Sequence, residues 1–444
     1  MMTILKTAVP LILYIGGIVT LILCLAGRPQ YGLYFLIPLL PLQNVLDKLQ
    51  GFPFGNDFND IILLSVLIGW IVSKMTGHGQ FMTKSTFNVV LMLYFLFTYS
   101  SLWLGSFYLE APAPINIADP RVQNWKNYML LPFLFFLSAN NLKDAKEIRQ
   151  LLILMILSMV VMDYYNITQI GLMTSWFSRS KIHGTFVYLG ANEVAAFHAT
   201  YTFVLIGMLF YEKKLSYKIF LTALILCGFY IVLFMFSRGE YLATIAATIF
   251  IACFRSRKLF IPLILAFIFW HTIVPSSVVE RMKFTEHEGE LDVSASTRLV
   301  LWEQSLEYFE QNPIMGVGYN VFTHVGMHSD THNVFLRTLA EQGLIGISFL
   351  LIIMLLAIRR GWILYKKAED PFLKGLGLGF AACAIAVMVG NFFGDRWSHL
   401  PLAAYFWVLL GMVERGNALA QESEIKKISV HIQRGKPALH AKHR

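Results

Sequence analysis

Long apolar runs recur along the whole chain and constrain its fold more than any other feature. Of the 444 residues, 56% are hydrophobic and 14% are charged, which is more apolar than a soluble domain needs. Several runs reach or approach the roughly 20 residues that cross a bilayer as a helix, among them 8–26, 217–236, 344–358 and 376–393. The sequence therefore predicts an all-α fold, that of a polytopic helical membrane protein.

We predict about twelve transmembrane helices. A further apolar stretch, 31–46, carries Pro38 and Pro41 and is short for a crossing, so it is treated as re-entrant, with a thirteenth span as the alternative. The predicted spans are 8–26, 60–75, 86–107, 127–140, 150–170, 191–211, 217–236, 240–254, 259–274, 340–358, 374–393 and 400–413.

The net charge of +9 comes from short basic clusters between the apolar runs, so it does not indicate nucleic acid binding. With both termini inside, most Lys and Arg lie in the inside loops and tail, as the positive-inside rule expects. Segments 171–190, 275–331 and 394–399 then face outward. Residues beyond Arg415 are expected to be mobile or to lie against anionic headgroups.

The long outward segment contains one predicted amphipathic helix, which fits a position on the outer leaflet. Arg298 is predicted in the first turn of this helix, where the helix dipole disfavours a cation unless an anion binds. Snorkelling, or a salt bridge to Glu303 or Asp292, is the alternative. The apolar stripe that carries the prediction consists of Leu299, Trp302, Leu306 and Phe309.

Arg238 and His332 lie at two other membrane boundaries. Arg238 begins a span, and its alternatives are a pair with Glu240 or an interfacial anchor. Guanidinium groups bind phosphate oxygens through a planar fork, so two converging arginines would suit a diphosphate. His332 follows the possible N-caps Ser329, Asp330 and Thr331 at the start of a helix, whose positive end favours a neutral imidazole able to accept a proton; an amphipathic anchor is the alternative.

Other polar side chains are weaker candidates. Arg337 is spaced to pair with Glu341. His324, His328 and His332 are spaced by four and could bind a metal if the segment were helical. Gly326 and the cap-forming residues between them would break such a helix, which argues against a metal site. A basic loop precedes the span at 191–211, and a polar pair opens it. These residues could contact phosphate or sugar, or form a solvated surface beside a capped helix. They are Arg179, Lys181 and His183 in the loop and Asn192 and Glu193 in the pair.

Taken together, these residues resemble the O-antigen ligase/polymerase superfamily of membrane glycosyltransferases. Three blocks carry the likeness, and a fourth is weaker. They are SRGEYLA at 237–243, STRLVLWEQSLEYFEQNPIMGVGYNVF at 296–322, THNVFLRTLAEQGLIG at 331–346 and, more weakly, HGTFVYLGANEVAAF at 183–197. The blocks cover about the second half of the chain, in the family's order.

The resemblance implies transfer of a glycan from an undecaprenyl-diphosphate carrier to an acceptor hydroxyl, lipid A core or similar, on the periplasmic face of the bacterial inner membrane. It implies an inverting reaction without metal or other cofactor. His332, Arg298 and Arg238 correspond to the family's catalytic residues. Expected substrate contacts are Arg179, Lys181, His183, Asn192, His328, Asn333 and Arg337.

The expected organisation is an N-terminal transmembrane bundle at 1–180, a catalytic region at 181–413 with the periplasmic loop 275–331, and a basic cytoplasmic tail at 414–444. A ligase is favoured because the loop carrying His332 is compact. A polymerase that joins lipid-linked repeats remains the alternative within the enzyme class. A polysaccharide transporter or flippase is the alternative from another class, and it predicts ionisable residues midway along several spans; Asp163 and His198 are the main candidates.

Overall fold

The structure, a computed structural model, describes residues 2–77, 81–173, 175–269, 278, 286–287, 290–291, 293–325 and 330–434. Its helices pack around one large apolar core that extends from Cys24 to Val413. The predicted all-α fold is confirmed. In the described residues, strand geometry is confined to a two-residue antiparallel pair, Glu286–His287 with Glu290–Leu291.

Fifteen α-helices are described, and we number them in chain order. They are α1 Met2–Leu25, α2 Gln30–Leu39, α3 Gln43–Leu46, α4 Phe58–Thr76, α5 Thr86–Tyr108, α6 Pro120–Asn141, α7 Ala145–Gly171, α8 Ala191–Tyr211, α9 Leu215–Phe234, α10 Arg238–Phe254, α11 Phe260–Ile268, α12 Val293–Gln311, α13 Val334–Lys367, α14 Pro371–Gly390 and α15 Leu400–Arg434. Short 3-10 segments occupy Asp47–Gly51, Trp176–Lys181, Arg257–Leu259 and Phe322–His324.

Eight of the described helices are long and apolar enough to cross a membrane: α1, α4, α5, α7, α8, α9, α13 and α14. The count of twelve and the periplasmic position of 275–331 stay predictions. Helices α6 and α15 combine apolar and charged stretches, and α10 and α11 have 17 and 9 residues as described.

The stretch 31–46 does not form one continuous helix. Helix α2 ends before Pro41, and its 10 residues span about 15 Å, half of a hydrocarbon core of about 30 Å. Buried residues of α2 face the core, and Ser158 of α7 donates a hydrogen bond to the carbonyl of Pro38. This geometry supports the re-entrant interpretation.

Helices α8 and α14 form the centre of the half of the bundle that carries the site. They approach so closely that a Cβ on Gly207 of α8 would lie 2.4 Å from the carbonyl oxygen of Gly375 and 2.6 Å from Cα of Gly379. Small residues at such crossings let helix backbones pack in direct contact within a membrane.

Helix α13 is broken at Gly343, whose backbone (φ 60, ψ −159) is not helical. The segment before α13 bonds to both sides of this break: Val317 N–H donates to the carbonyl of Ala340, and Leu344 N–H donates to the carbonyl of Pro313. Backbone groups freed by the break are thus satisfied within the protein, as membrane-embedded chains require. The first part of α13, up to Gln342, therefore forms a separate short helix beside the site.

The described part of the C-terminal tail is helical, and a mobile or headgroup-bound tail stays a prediction. Helix α15 continues through Arg434, and Arg415 donates a hydrogen bond to the carbonyl of Lys143 at the start of α7. Arg360 near the end of α13 pairs with the buried carboxylate of Glu414. These cations lie at the end of the bundle where α7 begins and α13 ends, opposite to the starts of α8, α10 and α13.

Candidate functional site

The start of α10 is held in an unusual backbone conformation. Phe236, two residues before Arg238, has a left-handed φ of 55°, which only glycine adopts without cost. The guanidinium of Arg179 donates to the carbonyl oxygens of Met235 (3.0 Å) and Phe236 (2.7 Å), and also to Asn192 Oδ1 at 2.8 Å. Arg179 and Asn192, both predicted to contact substrate, thus hold the turn that leads into Arg238.

Gly239 brings the same turn against the loop after α14. A Cβ at this position would lie 2.4 Å from Cβ of Phe393, closer than any real contact. The Ser-Arg-Gly sequence therefore places an arginine at the start of a helix and removes the side chain that would separate this helix from the next layer.

His332 lies in a second strained turn, directly before α13, with a left-handed φ of 52°. The N-cap of α13 is Asn333, whose Oδ1 accepts the N–H groups of Phe335 (3.0 Å) and Leu336 (3.2 Å). The expectation that Ser329, Asp330 or Thr331 caps this helix is wrong, because the asparagine side chain reaches both amides. Asn333, predicted to bind substrate, is buried and has this capping role.

Arg298 lies in the second turn of α12 rather than the first, because the helix begins at Val293. The dipole argument for a bound anion is weaker there, since the effect falls off within the first turn. Trp302, one turn later, donates its indole N–H to the carbonyl of Thr331 at 3.1 Å and so joins α12 to the His332 turn.

The predicted apolar stripe of α12 divides between two environments. Leu299 and Leu306 are exposed, whereas Trp302 and Phe309 are partly buried. The face that packs on α13 instead contains Leu301 and Ser305, both buried. An exposed apolar edge on α12 remains compatible with the expected position on a leaflet surface.

The half-exposed imidazole of His332 lies among four charged groups. Burial lowers its pKa most; Asp330, 3.8 Å away, raises the pKa, Arg298 and Arg396 lower it, and Glu193 raises it, with a net decrease below its ordinary value. The structure therefore brings Arg298 and His332 together, and the imidazole is favoured in its neutral, proton-accepting form at neutral pH.

Arg396, in the loop between α14 and α15, connects the turns of Arg238 and His332. It is 5% exposed, and its guanidinium binds Glu240 Oε1 at 2.9 Å through Nε and Glu193 Oε1 at 2.7 Å through Nη1. Both acids belong to first turns, those of α10 and α8. The carboxylate of Glu240, offered above as a partner of Arg238, is thus bound by Arg396.

Arg337, predicted to bind substrate, is surrounded by carboxylates. Its nearest acceptor is Asp395 Oδ2 at 2.8 Å, and Glu341, the expected i+4 partner, lies farther away at 3.7 Å. Burial raises the pKa of Asp395, but Arg337, His399 and the N–H groups of Trp397 and Ser398 outweigh burial and lower the pKa to about 2. This pair anchors the Arg396 loop to α13.

Of the remaining predicted substrate contacts, two are exposed to solvent and one lies outside the described residues. Lys181 and His183 are exposed, and His183 Nδ1 lies 3.0 Å from the carbonyl of Leu189. His328 lies outside the described residues, and with it the proposed histidine triplet. Within the part of the chain that is described, no group of three or more His, Cys, Asp or Glu has the arrangement of a metal site.

Sequence reasoning missed Glu240 as a link, and it missed Asp395 and Arg396 altogether. Arg396 could have been found by the argument applied to Arg238, because Asp395-Arg396 is a charged pair in a six-residue break between two apolar runs. Its partners lie 156 and 203 positions away, so no local spacing indicates them.

These features define a class: a helical membrane protein with a cluster of arginines and one histidine where three helices begin. Residues 196–351 match the model of the O-antigen ligase family. The match confirms the resemblance predicted from the sequence and indicates a membrane enzyme of the O-antigen ligase/polymerase type. It includes Arg238, Arg298 and His332, whereas Glu193 and Arg396 lie outside it. No curated protein matches the chain in sequence.

Proposed function

We propose that this chain is a glycosyltransferase of the O-antigen ligase type. In this proposal a glycan passes from undecaprenyl diphosphate to an acceptor hydroxyl, lipid A core or similar, at the periplasmic face of the inner membrane. The observation that carries the proposal is the hydrogen bond that joins the helix of Arg298 to the His332 turn, from Trp302 to Thr331, together with the Arg396–Glu240 pair at the helix start that bears Arg238.

The proposed donor is an anion, and the charge of the site suits it. The first turns of α8, α10 and α13 meet at the Arg396 loop, through Glu193, through Glu240 and through the bond from Val334 N–H to Asn391. Helix N-termini favour anions. In the proposal, Arg238 at the start of α10 and Arg298 in α12 add the fixed positive charge that a departing lipid diphosphate requires.

The proposed step is an inverting displacement at the anomeric carbon. His332 accepts the proton of the acceptor hydroxyl as its oxygen bonds to the sugar, and the bond between that carbon and the diphosphate breaks. Arg238 and Arg298 stabilise the charge that develops on the leaving diphosphate. A neutral imidazole is the form that this role requires, and the lowered pKa of His332 supports it.

The orientation rests on charge. The site lies opposite to the end of the bundle that carries Arg415 and Arg360, and basic residues mark the cytoplasmic side.

A transporter is supported less: Asp163 and His198 lie close to each other, 3.4 Å apart, and Asn166 contacts the same imidazole at 2.9 Å. One compact buried group is a weaker indication than ionisable residues along several spans.

The test combines purified protein in proteoliposomes with a lipid-diphosphate-linked glycan and candidate acceptors. His332→Ala, Arg298→Ala and Arg238→Ala are each expected to lower transfer at least about a hundredfold with unchanged membrane insertion. Arg415→Ala is the matched control, because this arginine lies at the opposite end of the bundle. Full transfer by the His332 or Arg298 variant contradicts the proposal.

Deletion of the gene separates the alternatives. Full-length glycan left on the lipid carrier indicates a ligase, single unpolymerised repeats indicate a polymerase, and accumulation of lipid-linked glycan on the cytoplasmic side indicates a flippase.

A further inference from the structure

The loop 394–399 contributes the most deeply buried cation near the proposed site. The guanidinium of Arg396 is enclosed between the carboxylates of Glu240 and Glu193, at 2.9 and 2.7 Å. Buried charges of this kind are retained only where partners satisfy them, and removal of one partner leaves the others uncompensated. Arg396 therefore fixes α8 and α10 to the loop that carries it.

A second set of contacts links the backbone of Arg396 to the His332 turn. Asn391, fully buried at the end of α14, accepts the N–H of Arg396 on its Oδ1 at 2.9 Å. Its own carbonyl accepts the N–H of Val334 at 3.0 Å. Val334 is two residues after His332, so Asn391 connects the arginine loop to the strained turn that presents the imidazole.

The charged groups that act on the pKa of His332 come from four parts of the chain. Asp330 belongs to its own turn, Arg298 to α12, Glu193 to α8 and Arg396 to the α14–α15 loop. Of these, the two arginines disfavour a second proton on the imidazole and the two acids favour it. Because Arg396 is bound to Glu193, its loss removes one positive charge and frees one negative charge at the same place.

We propose that Arg396 is a positioning residue for the transfer reaction. Its side chain holds the starts of α8 and α10 to the loop that Asn391 links to the His332 turn, and its positive charge opposes the effect of Glu193 on the imidazole. The role of Arg396 in the reaction rests on the proposed function of His332. Its effect on the charge around the imidazole does not depend on that function and can be tested without a substrate.

The first measurement is an NMR titration of the imidazole in nanodiscs, with protein labelled at histidine and the His332 signal assigned by His332→Gln. Arg396→Gln is expected to raise the pKa of His332 by about one unit. Glu193→Gln is expected to shift it in the opposite direction. A purely structural role of Arg396 does not predict pKa shifts of opposite sign in the two variants. Shifts of His332 in the same direction, or no shift in a folded Arg396→Gln protein, overturn the proposal.

The second measurement is the pH dependence of kcat in proteoliposomes. A base must be unprotonated, so Arg396→Gln moves the acid limb to higher pH by the same amount, and displacement of the turn lowers kcat at neutral pH by about tenfold to a hundredfold. Arg396→Lys keeps the charge but loses the fork, so it is expected to keep the parent's acid limb with a lowered kcat.

If Arg396→Gln does not fold, Arg396→Lys and Glu193→Gln decide: a parent-like acid limb in the former and a downward shift in the latter support the proposal, and any other pair of results overturns it. The proposed function fails separately. If the imidazole titrates as expected but His332→Ala transfers glycan normally, the base assignment is wrong and the electrostatic role of Arg396 stands. If transfer requires His332 and neither titration nor pH profile responds to Arg396, only the present inference fails.

Discussion

The indole N–H of Trp302 donates a hydrogen bond to the backbone carbonyl of Thr331, with 3.1 Å between nitrogen and oxygen. Thr331 directly precedes His332, and Trp302 follows Arg298 by one turn on the same face of α12. This hydrogen bond therefore joins α12, which bears the proposed catalytic residue Arg298, to the turn that bears His332.

Trp302→Phe tests this link, because it removes the donor and keeps an aromatic ring of similar packing. A neutral hydrogen bond contributes about 0.5–1.5 kcal/mol, so we expect kcat for transfer to fall by roughly threefold to tenfold at unchanged protein yield. Trp362→Phe, in α13 beyond the break, is the matched control and is expected to transfer at the parent rate. Parent activity in Trp302→Phe contradicts a positioning role for the bond.

Asp330→Asn is predicted to extend activity to lower pH. The carboxylate, 3.8 Å from His332 Nδ1, raises the pKa of the imidazole. Removal of that charge lowers the pKa, so the base stays unprotonated further into the acid range and the acid limb of kcat moves down by about half a pH unit.

Salt provides the control for that shift, because a Debye length of about 3 Å at 1 M ionic strength screens a contact of this kind. The difference between Asp330→Asn and the parent is expected to shrink in high salt. A displacement toward higher pH, or one that salt does not change, would show that Asp330 acts through structure rather than charge.

Gly239→Ala is predicted to impair transfer, although alanine is favoured over glycine inside a helix by about 0.5–1 kcal/mol. The added Cβ would lie 2.4 Å from Cβ of Phe393, so α10 and the loop after α14 must separate and Arg238 must move. Phe393→Gly in the same protein removes the Cβ that would be contacted and is expected to restore part of the rate. Gly171→Ala, where no atom lies within 4 Å of the added Cβ, is the control. Equal rates for the two alanine variants would falsify the steric argument.

His198→Leu is predicted to destabilise the fold without a direct effect on chemistry. The fully buried imidazole contacts Asp163 at 3.4 Å and Asn166 at 2.9 Å, and its loss leaves buried polar groups without that partner, at a cost of about 1–3 kcal/mol. Thermal unfolding in one detergent measures this change.

The double variant Asp163→Leu/His198→Leu is expected to recover part of that loss, because an apolar pair removes both polar groups together. Transfer per folded molecule should match the parent in both proteins. A selective loss of transfer at parent stability would instead assign Asp163 and His198 a part in the reaction.

The sequence predicts the fold class and the residues with local signals well. Helical spacing and apolar length indicate the membrane helices, and Arg298 and His332 can be singled out because each is a charged or titratable residue at a boundary. Arg298 lowers the pKa of His332, and Trp302, one turn after Arg298, bonds to the residue before the imidazole. Short-range features also allow specific errors: the side chain of Asn333, not its predecessors, caps α13, and α12 begins early enough to move Arg298 into its second turn.

Roles that depend on distant partners cannot be predicted in this way. Arg179 has the residue type of a phosphate ligand, but it binds two backbone carbonyls beyond α9. Arg337 has an i+4 acid, but the closer acid is Asp395, 58 positions away. In each case the tertiary fold decides which partner lies nearest to the arginine. The spacing of residues in a single sequence does not indicate that partner.

The left-handed backbone of His332 sets stability and activity against each other at one position. A residue with a Cβ in that conformation costs roughly 1–2 kcal/mol, and glycine removes the cost. His332→Gly should therefore raise the unfolding temperature while it deletes the imidazole. Selection for heat tolerance alone would discard the histidine, and only selection for the reaction would keep it.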